Sequence, residues 1–139
     1  MKAKDFLLQL PKLEALIKNK LIEKQQWKDI ALGITPQMSS DRVQSSGNQQ
    51  KMACAIERMV DIEKELDEFV DSLIETRNEV LSVIEQLNSD EYDFLHLVYV
   101  QHFTLKEVAN LKNYSYSWAT TFHGNALKKV QKILDSKNV

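Results

Sequence analysis

Residues Thr104 to Leu134 read TLKEVANLKNYSYSWATTFHGNALKKVQKIL, and this stretch decides the fold of the C-terminal third. Thr104 and Glu107 stand at the spacing of a capping box, in which the hydroxyl accepts from the N3 backbone N–H and the carboxylate reaches back to the cap N–H. A helix therefore starts at about Leu105. Leu105, Val108 and Ala109, with Leu111 as a further candidate, give it one short buried face, and small Ala109 lets a crossing helix come close. The periodicity then breaks. Asn113 tolerates a left-handed conformation, Tyr114 can plug the corner, and Ser115 or Ser117 can cap a second helix. That helix is expected to bury Ala119, Phe122, Ala126, Leu127, Val130, Ile133 and Leu134, and to turn outward Tyr116, Ser117, Thr120, Thr121, His123, Gly124 and Asn125.

The outer face is small and polar near the helix N-terminus and basic further on, at Lys128, Lys129 and Lys132. A helix entering the major groove needs that arrangement, because hydroxyls and amides meet base edges while ammonium groups meet phosphates. The alternative is an ordinary helical hairpin with a solvated polar face.

At 139 residues the chain fits one domain, or one small domain with a long helical extension. Three Gly and two Pro are too few for an all-β protein with many tight turns. No run of 18 apolar residues and no charged-then-apolar leader occurs, so neither a membrane span nor secretion is expected. Cys54 is alone, which excludes an internal disulfide and suits a reducing cytoplasm.

A formal net charge of −2 hides a strong segregation. Residues 1–56 carry nine Lys/Arg and five Asp/Glu, residues 57–93 three against thirteen, and residues 94–139 six against two. The basic C-terminal segment suits phosphate contact, whereas the acidic middle suits a protein partner or solvent.

Toward the N-terminus, Phe6, Leu10, Leu13, Ile17 and Leu21 recur at helical spacing, extended by Trp27 and Ala31, and predict an amphipathic helix of about 25 residues. Pro11 sits in its first turn or kinks it. The pattern stops near Gly33 and Thr35-Pro36, and the polar run Gln37 to Gln50 reads as a linker, about 34–50 in all. From Lys51 to Asn88 a second helix runs without Gly or Pro. One heptad position reads Met59, Leu66, Leu73, Val80, Leu87, and another Ile62, Phe69, Thr76, Val83, the pattern of a coiled-coil seam or an antiparallel helical pair. Such a helix is on the order of 55 Å long, so its seam must pair with the N-terminal helix, with a second copy of the chain, or with both. Burial of each seam side chain contributes roughly 1.5–3 kcal/mol, and homodimerisation is the expectation. Ser89 is expected to cap a further helix, with Asp90, Glu91 and Asp93 where the helix dipole favours acids, and with Leu95, Val98, Tyr99 and Phe103 as its apolar residues.

The expected fold is therefore all-α. A long, coiled-coil-like helical hairpin spans 1–88, and a three-helix bundle containing a helix-turn-helix spans 89–139.

Residues 87–134 resemble region 4 of the sigma-70 family. An apolar helix ends in Tyr99, Thr104-Leu105-Lys106-Glu107-Val108-Ala109 stands for the usual S/T-x-x-E-I-A, and Ser115 follows; Ala126-Leu127-Lys128-Lys129-Val130 stands for A-L-K-K-L. Lys112 stands where the pattern has a Leu, and the outer face carries no Arg. The whole chain resembles the small phage regulators of the ArpU and RinA kind, through ITPQMSSDRVQSSG followed by IERMVDIEKEL. That resemblance implies a transcriptional regulator that activates phage or prophage late genes by binding double-stranded DNA and acting on host RNA polymerase. It places base contacts on Tyr116, Ser117, Thr120, Thr121 and Asn125, and phosphate contacts on Lys106, Lys112, Lys128 and Lys129. Trp118 has three readings: packing against the supporting helix, lying along the sugar-phosphate backbone, or forming part of a partner surface.

Catalysis is not expected. His96, His102 and His123 lack metal-like spacing, Cys54 lacks a nearby base, and no phosphate-binding glycine loop occurs. No cofactor, metal or small-molecule ligand is expected. The rival reading is a helical adaptor or anti-activator without DNA affinity, whose acidic helix imitates DNA or grips polymerase.

Overall fold

The computed structural model of the chain describes residues 1–33 and 46–137, and every regular element among them is helical. In order these are α1 (Ala3–Leu32), α2 (Ser46–Ile84), α3 (Ser89–Leu95), a π-helical turn (His96–Val100), α4 (Leu105–Lys112) and α5 (Tyr116–Lys137). The fold is all-α, a long helical pair followed by a bundle of shorter helices. No helix among the described residues is long and apolar enough to cross a membrane.

The chain divides into two compact units. A hairpin unit spans Glu14–Ser72, and a terminal unit joins Met1–Leu13 to Leu73–Val139.

In the hairpin unit the later part of α1 runs antiparallel to the earlier part of α2. Lys20 pairs with Glu65 at 2.8 Å, Lys24 with Glu63 at 2.8 Å, and the Arg58 guanidinium lies over the Trp27 ring at 5.7 Å. Ala31, Ala55, Ile62 and Leu66 are buried between the two helices. After Ile17 the covered stripe of α1 passes to Lys20, Lys24, Trp27 and Ala31, so Leu21, expected on that face, is exposed. The basic stems of Lys20 and Lys24 take that place because the acidic flank of α2 faces them. Gly33 at φ +71° stops α1, its N–H bonded to the Ile30 carbonyl at 3.1 Å. Residues 34–45, most of the expected linker, lie outside the described residues.

The α2 helix begins at Ser46, five residues before the start that apolar periodicity marks, since Gln49 and Gln50 are adequate helix formers without an apolar face. It also ends earlier than expected. The Gln86 and Leu87 N–H groups turn back to the Val83 and Ile84 carbonyls, tightening the last turn, and Asn88 becomes extended at φ −70°, ψ 168°. Asn88, not Ser89, therefore caps α3, with Glu91 completing a capping box.

Both seam positions of α2 are covered within the chain. Met59 and Leu66 are half-buried and buried in the hairpin unit, while Leu73, Val80 and Leu87 join the core of the terminal unit.

The core of the terminal unit draws on all its helical segments. Ala3, Phe6, Leu7 and Leu10 from α1 meet Val80, Val83 and Ile84 from α2, Phe94 and Leu95 from α3, Leu97, Tyr99 and Val100 from the π-turn, Val108 and Ala109 from α4, and Ala119, Ala126 and Val130 from α5. The bundle around the helix-turn-helix thus includes two pieces of the long helices beside the three expected. Pro11 lies inside α1, beyond its first turn. The π-turn closes with the Gln101 N–H on the His96 carbonyl at 3.0 Å, and His102 at φ +67° leads the chain out toward α4.

Candidate nucleic-acid interface

Local chemistry fixes α4 and the corner after it. Thr104 Oγ1 accepts from the Glu107 N–H at 3.1 Å, and Glu107 Oε1 accepts from the Thr104 N–H at 3.0 Å. The Thr104 backbone N–H first, and then its hydroxyl, favour the ionised carboxylate and hold the Glu107 pKa below its usual value. At the far end Asn113 adopts the left-handed conformation, φ 62° and ψ 39°. The Tyr114 N–H then reaches the Ala109 carbonyl at 2.9 Å, a six-to-one bond that closes the helix. Ser115 Oγ accepts from the Trp118 N–H at 3.0 Å and caps α5. The capping box, the left-handed Asn and the Ser cap all stand where the sequence places them.

The corner is packed by aromatic rings. Trp118 is half-buried, stacked on Tyr114 at 4.2 Å, edge-on to Phe94 at 5.9 Å and 5.0 Å from Phe122. Of its three readings, packing against the supporting helix is the one the geometry realises. Leu111 is 57% exposed, because the left-handed turn at Asn113 ends α4 before that side chain can rejoin the core.

Tyr116, Ser117, Thr120, Thr121 and Asn125 are all exposed on α5. Four of them, Ser117, Thr120, Thr121 and Asn125, form one small polar face across the helix from buried Ala119, Ala126 and Val130, and Tyr116 stands beside it at the first turn. The Thr120 hydroxyl donates to the Ser117 carbonyl at 2.9 Å, leaving its lone pairs outward. His123, expected on the outer face, is instead half-buried. Its Nε2 lies 2.7 Å from the Tyr99 hydroxyl and its ring stacks on Tyr99 at 5.8 Å. Burial, then the charge of Lys4, holds the His123 pKa below 6.5, and burial pushes the Tyr99 phenol up to about 12.

The four expected phosphate contacts divide into two pairs. Lys106 and Lys128 are exposed, with no ion pair to a described residue. Lys112 pairs with Asp93, and Lys129 pairs at 2.5 Å with Glu91, whose side chain is 8% exposed. Both acids belong to α3, so these two lysines tie the helix-turn-helix to its supporting helix. Their positive charge is partly spent before any ligand arrives. A shallow groove beside this tie is lined by Glu91, Phe122, Asn125, Lys128, Lys129 and Lys132.

Sequence reasoning did not find these partners. Glu91 was legible as the third residue after Asn88, the capping-box spacing, but its pairing with Lys129 spans 38 positions and carries no local signal. The docking of the N-terminal turn on α5, through the Ala3 N–H and Gln131 Oε1 at 2.7 Å, is equally silent in the sequence. Among the described residues no group of three or more His, Cys, Asp or Glu side chains could hold a metal ion.

A family model described as "Protein of unknown function (DUF1492)" matches residues 32–135. No curated protein and no solved structure matches the chain.

Proposed function

The chain belongs to the DUF1492 family, and from the geometry of α4, its corner and α5 we propose that it is a sequence-specific, double-stranded DNA-binding regulator of transcription, working in the cytoplasm. The observation that carries this reading is the exposed face of α5. Four short polar side chains with Tyr116 beside them, without a large apolar group among them, stand at the N-terminal half of a helix whose entry is capped and whose back is locked into the core. Hydroxyl and amide groups so held can meet base edges, and Lys106 and Lys128 can meet phosphates. Lys112 and Lys129 serve first to hold the reading helix against α3. The resemblance to sigma-70 region 4 and to the ArpU and RinA regulators supports an activator of phage or prophage late genes acting through host RNA polymerase. The absence of Arg from the α5 face favours modest discrimination of guanine, with Asn125 and the hydroxyls as readers.

A protein-facing role has one specific observation in its favour. Met52, Ile56, Val60 and Val70, on the α2 part of the hairpin unit, are exposed and recur on one side of that helix, among carboxylates. This stripe suits a homodimer contact, or the adaptor function if DNA affinity is lacking.

The test is the double variant Thr120→Asp with Lys128→Glu in a gel-shift assay on DNA surrounding the chain's own gene. It abolishes the shift while helicity and sedimentation stay unchanged. An undiminished shift by the folded variant assigns reading to some other surface.

A further inference from the structure

The N-terminal turn of α1 is built into the same unit as the helix-turn-helix. Ala3, Phe6, Leu7 and Leu10 are buried in the core that holds Ala119, Ala126 and Val130. Gln131 of α5 clamps the turn from outside: its Oε1 accepts the Ala3 N–H at 2.7 Å, and its Nε2 donates to the Met1 carbonyl at 3.2 Å. A side-chain amide bonded to both partners, 128 and 130 positions away, fixes the turn on one flank of α5. Exposed Lys4 stands on that turn, next to the clamped Ala3, and its charge acts on His123.

The charge layout of α5 gives this placement a consequence. At about 100° per residue, Lys128, Lys129 and Lys132 fall on the outer face and the flank that meets α3. The opposite flank, made by Thr120, His123, Leu127, Gln131 and Leu134, carries no cation of its own, His123 being held toward its neutral form. A helix lying in the major groove has a phosphate strand along each edge. The flank without a lysine is the one the N-terminal turn covers.

We propose that Lys4, held beside α5 by the Gln131 clamp and the Phe6, Leu7 and Leu10 anchors, is a DNA phosphate contact, supplying the positive charge that one edge of the reading helix lacks. This rests on the DNA-binding reading above and extends the interface to a residue more than a hundred positions away in sequence. The α1 tip thereby acts as a second arm of the interface, and its docking sets the register of that arm.

The experiment is a salt titration of duplex binding by fluorescence anisotropy, using the full chain and its Lys4→Glu, Lys4→Gln, Lys4→Arg and Lys18→Glu variants. Lys4→Gln lowers affinity and reduces the slope of log affinity against log salt by about 0.9, the loss of one phosphate contact. Lys4→Glu lowers affinity further, Lys4→Arg restores it, and Lys18→Glu, in the hairpin unit, leaves the slope unchanged. In parallel, NMR titration of His123 in Lys4→Glu shows its pKa rising, which reports that the two side chains are neighbours. Wild-type affinity and slope in folded Lys4→Gln, with the wild type binding normally, overturn the Lys4 contact and leave the DNA-binding reading intact. A His123 pKa unmoved by Lys4→Glu overturns the placement. Absence of salt-dependent binding by the wild type overturns both.

Discussion

Lys129 on α5 and Glu91 on α3 form an ion pair at 2.5 Å in which the lysine side chain is 52% exposed and the carboxylate 8%. Glu91 at the same time accepts, at 3.4 Å, from the Asn88 N–H that opens α3. One carboxylate thus closes a helix cap and anchors α5, and removing Lys129 leaves a buried charge with only the cap N–H as partner.

Lys129→Gln is therefore expected to destabilise the fold by about 1–3 kcal/mol, below the value for a fully buried pair because the lysine is half in water. Lys128→Gln should leave stability within about 0.5 kcal/mol and instead reduce the salt slope of DNA binding. Denaturant midpoints and binding titrations on the two variants separate anchor from contact. Equal stability for both would remove the structural role given to Lys129.

Leu10 is fully buried and comes from the far end of the chain. Leu10→Ala should cost about 2–5 kcal/mol and loosen the helix-turn-helix itself, read as lost amide protection in α4 and α5. Protection lost in α1 alone would mean that the tip is an appendage.

Thr104→Ala removes a cap whose hydroxyl serves the Glu107 N–H, and is expected to cost about 1 kcal/mol. Asn113→Val should cost a similar 1–2 kcal/mol by forcing a β-branched residue into the left-handed region, whereas Asn113→Gly is tolerated. Thermal unfolding of the three variants ranks them.

His123 has a folded-state pKa below its ordinary 6.5. The unfolded chain therefore takes up a proton first as pH falls, so the contribution of His123 to stability is complete above pH 6.5 and is lost progressively below it. His123→Gln should flatten the loss of stability between pH 6.5 and the onset of carboxylate titration, measured by urea unfolding across that range. A stability profile identical to that of the wild type would place the proton uptake elsewhere.

Much of the fold was legible because its signals are local. The Thr104 and Glu107 capping box, Asn113 at a left-handed corner and Ser115 before α5 each work through neighbours within five residues. The seam of α2 was legible as a period, and all five of its residues are covered, but the period could not say by what. The answer depends on α1, whose stripe switches from leucines to lysine stems at Lys20 to face Glu65. At the candidate interface the polar face of α5 was visible in the sequence. The neutralisation of Lys112 and Lys129 was not, because ion pairs to Asp93 and Glu91 depend on how α3 crosses the corner. His123 was misplaced for the same reason: at the edge of the helical wheel, burial is decided by the neighbour, here Tyr99.

DNA recognition by α5 is the function on which the roles proposed for Lys4, Lys106 and Lys128 depend. The most direct measurement is a salt titration of full-chain binding to DNA surrounding its own gene, against random duplex of equal length. Affinity is expected to fall by about 0.9 log units per log salt for each phosphate contact, with the native fragment bound more tightly throughout. No binding to either fragment at low salt would contradict it.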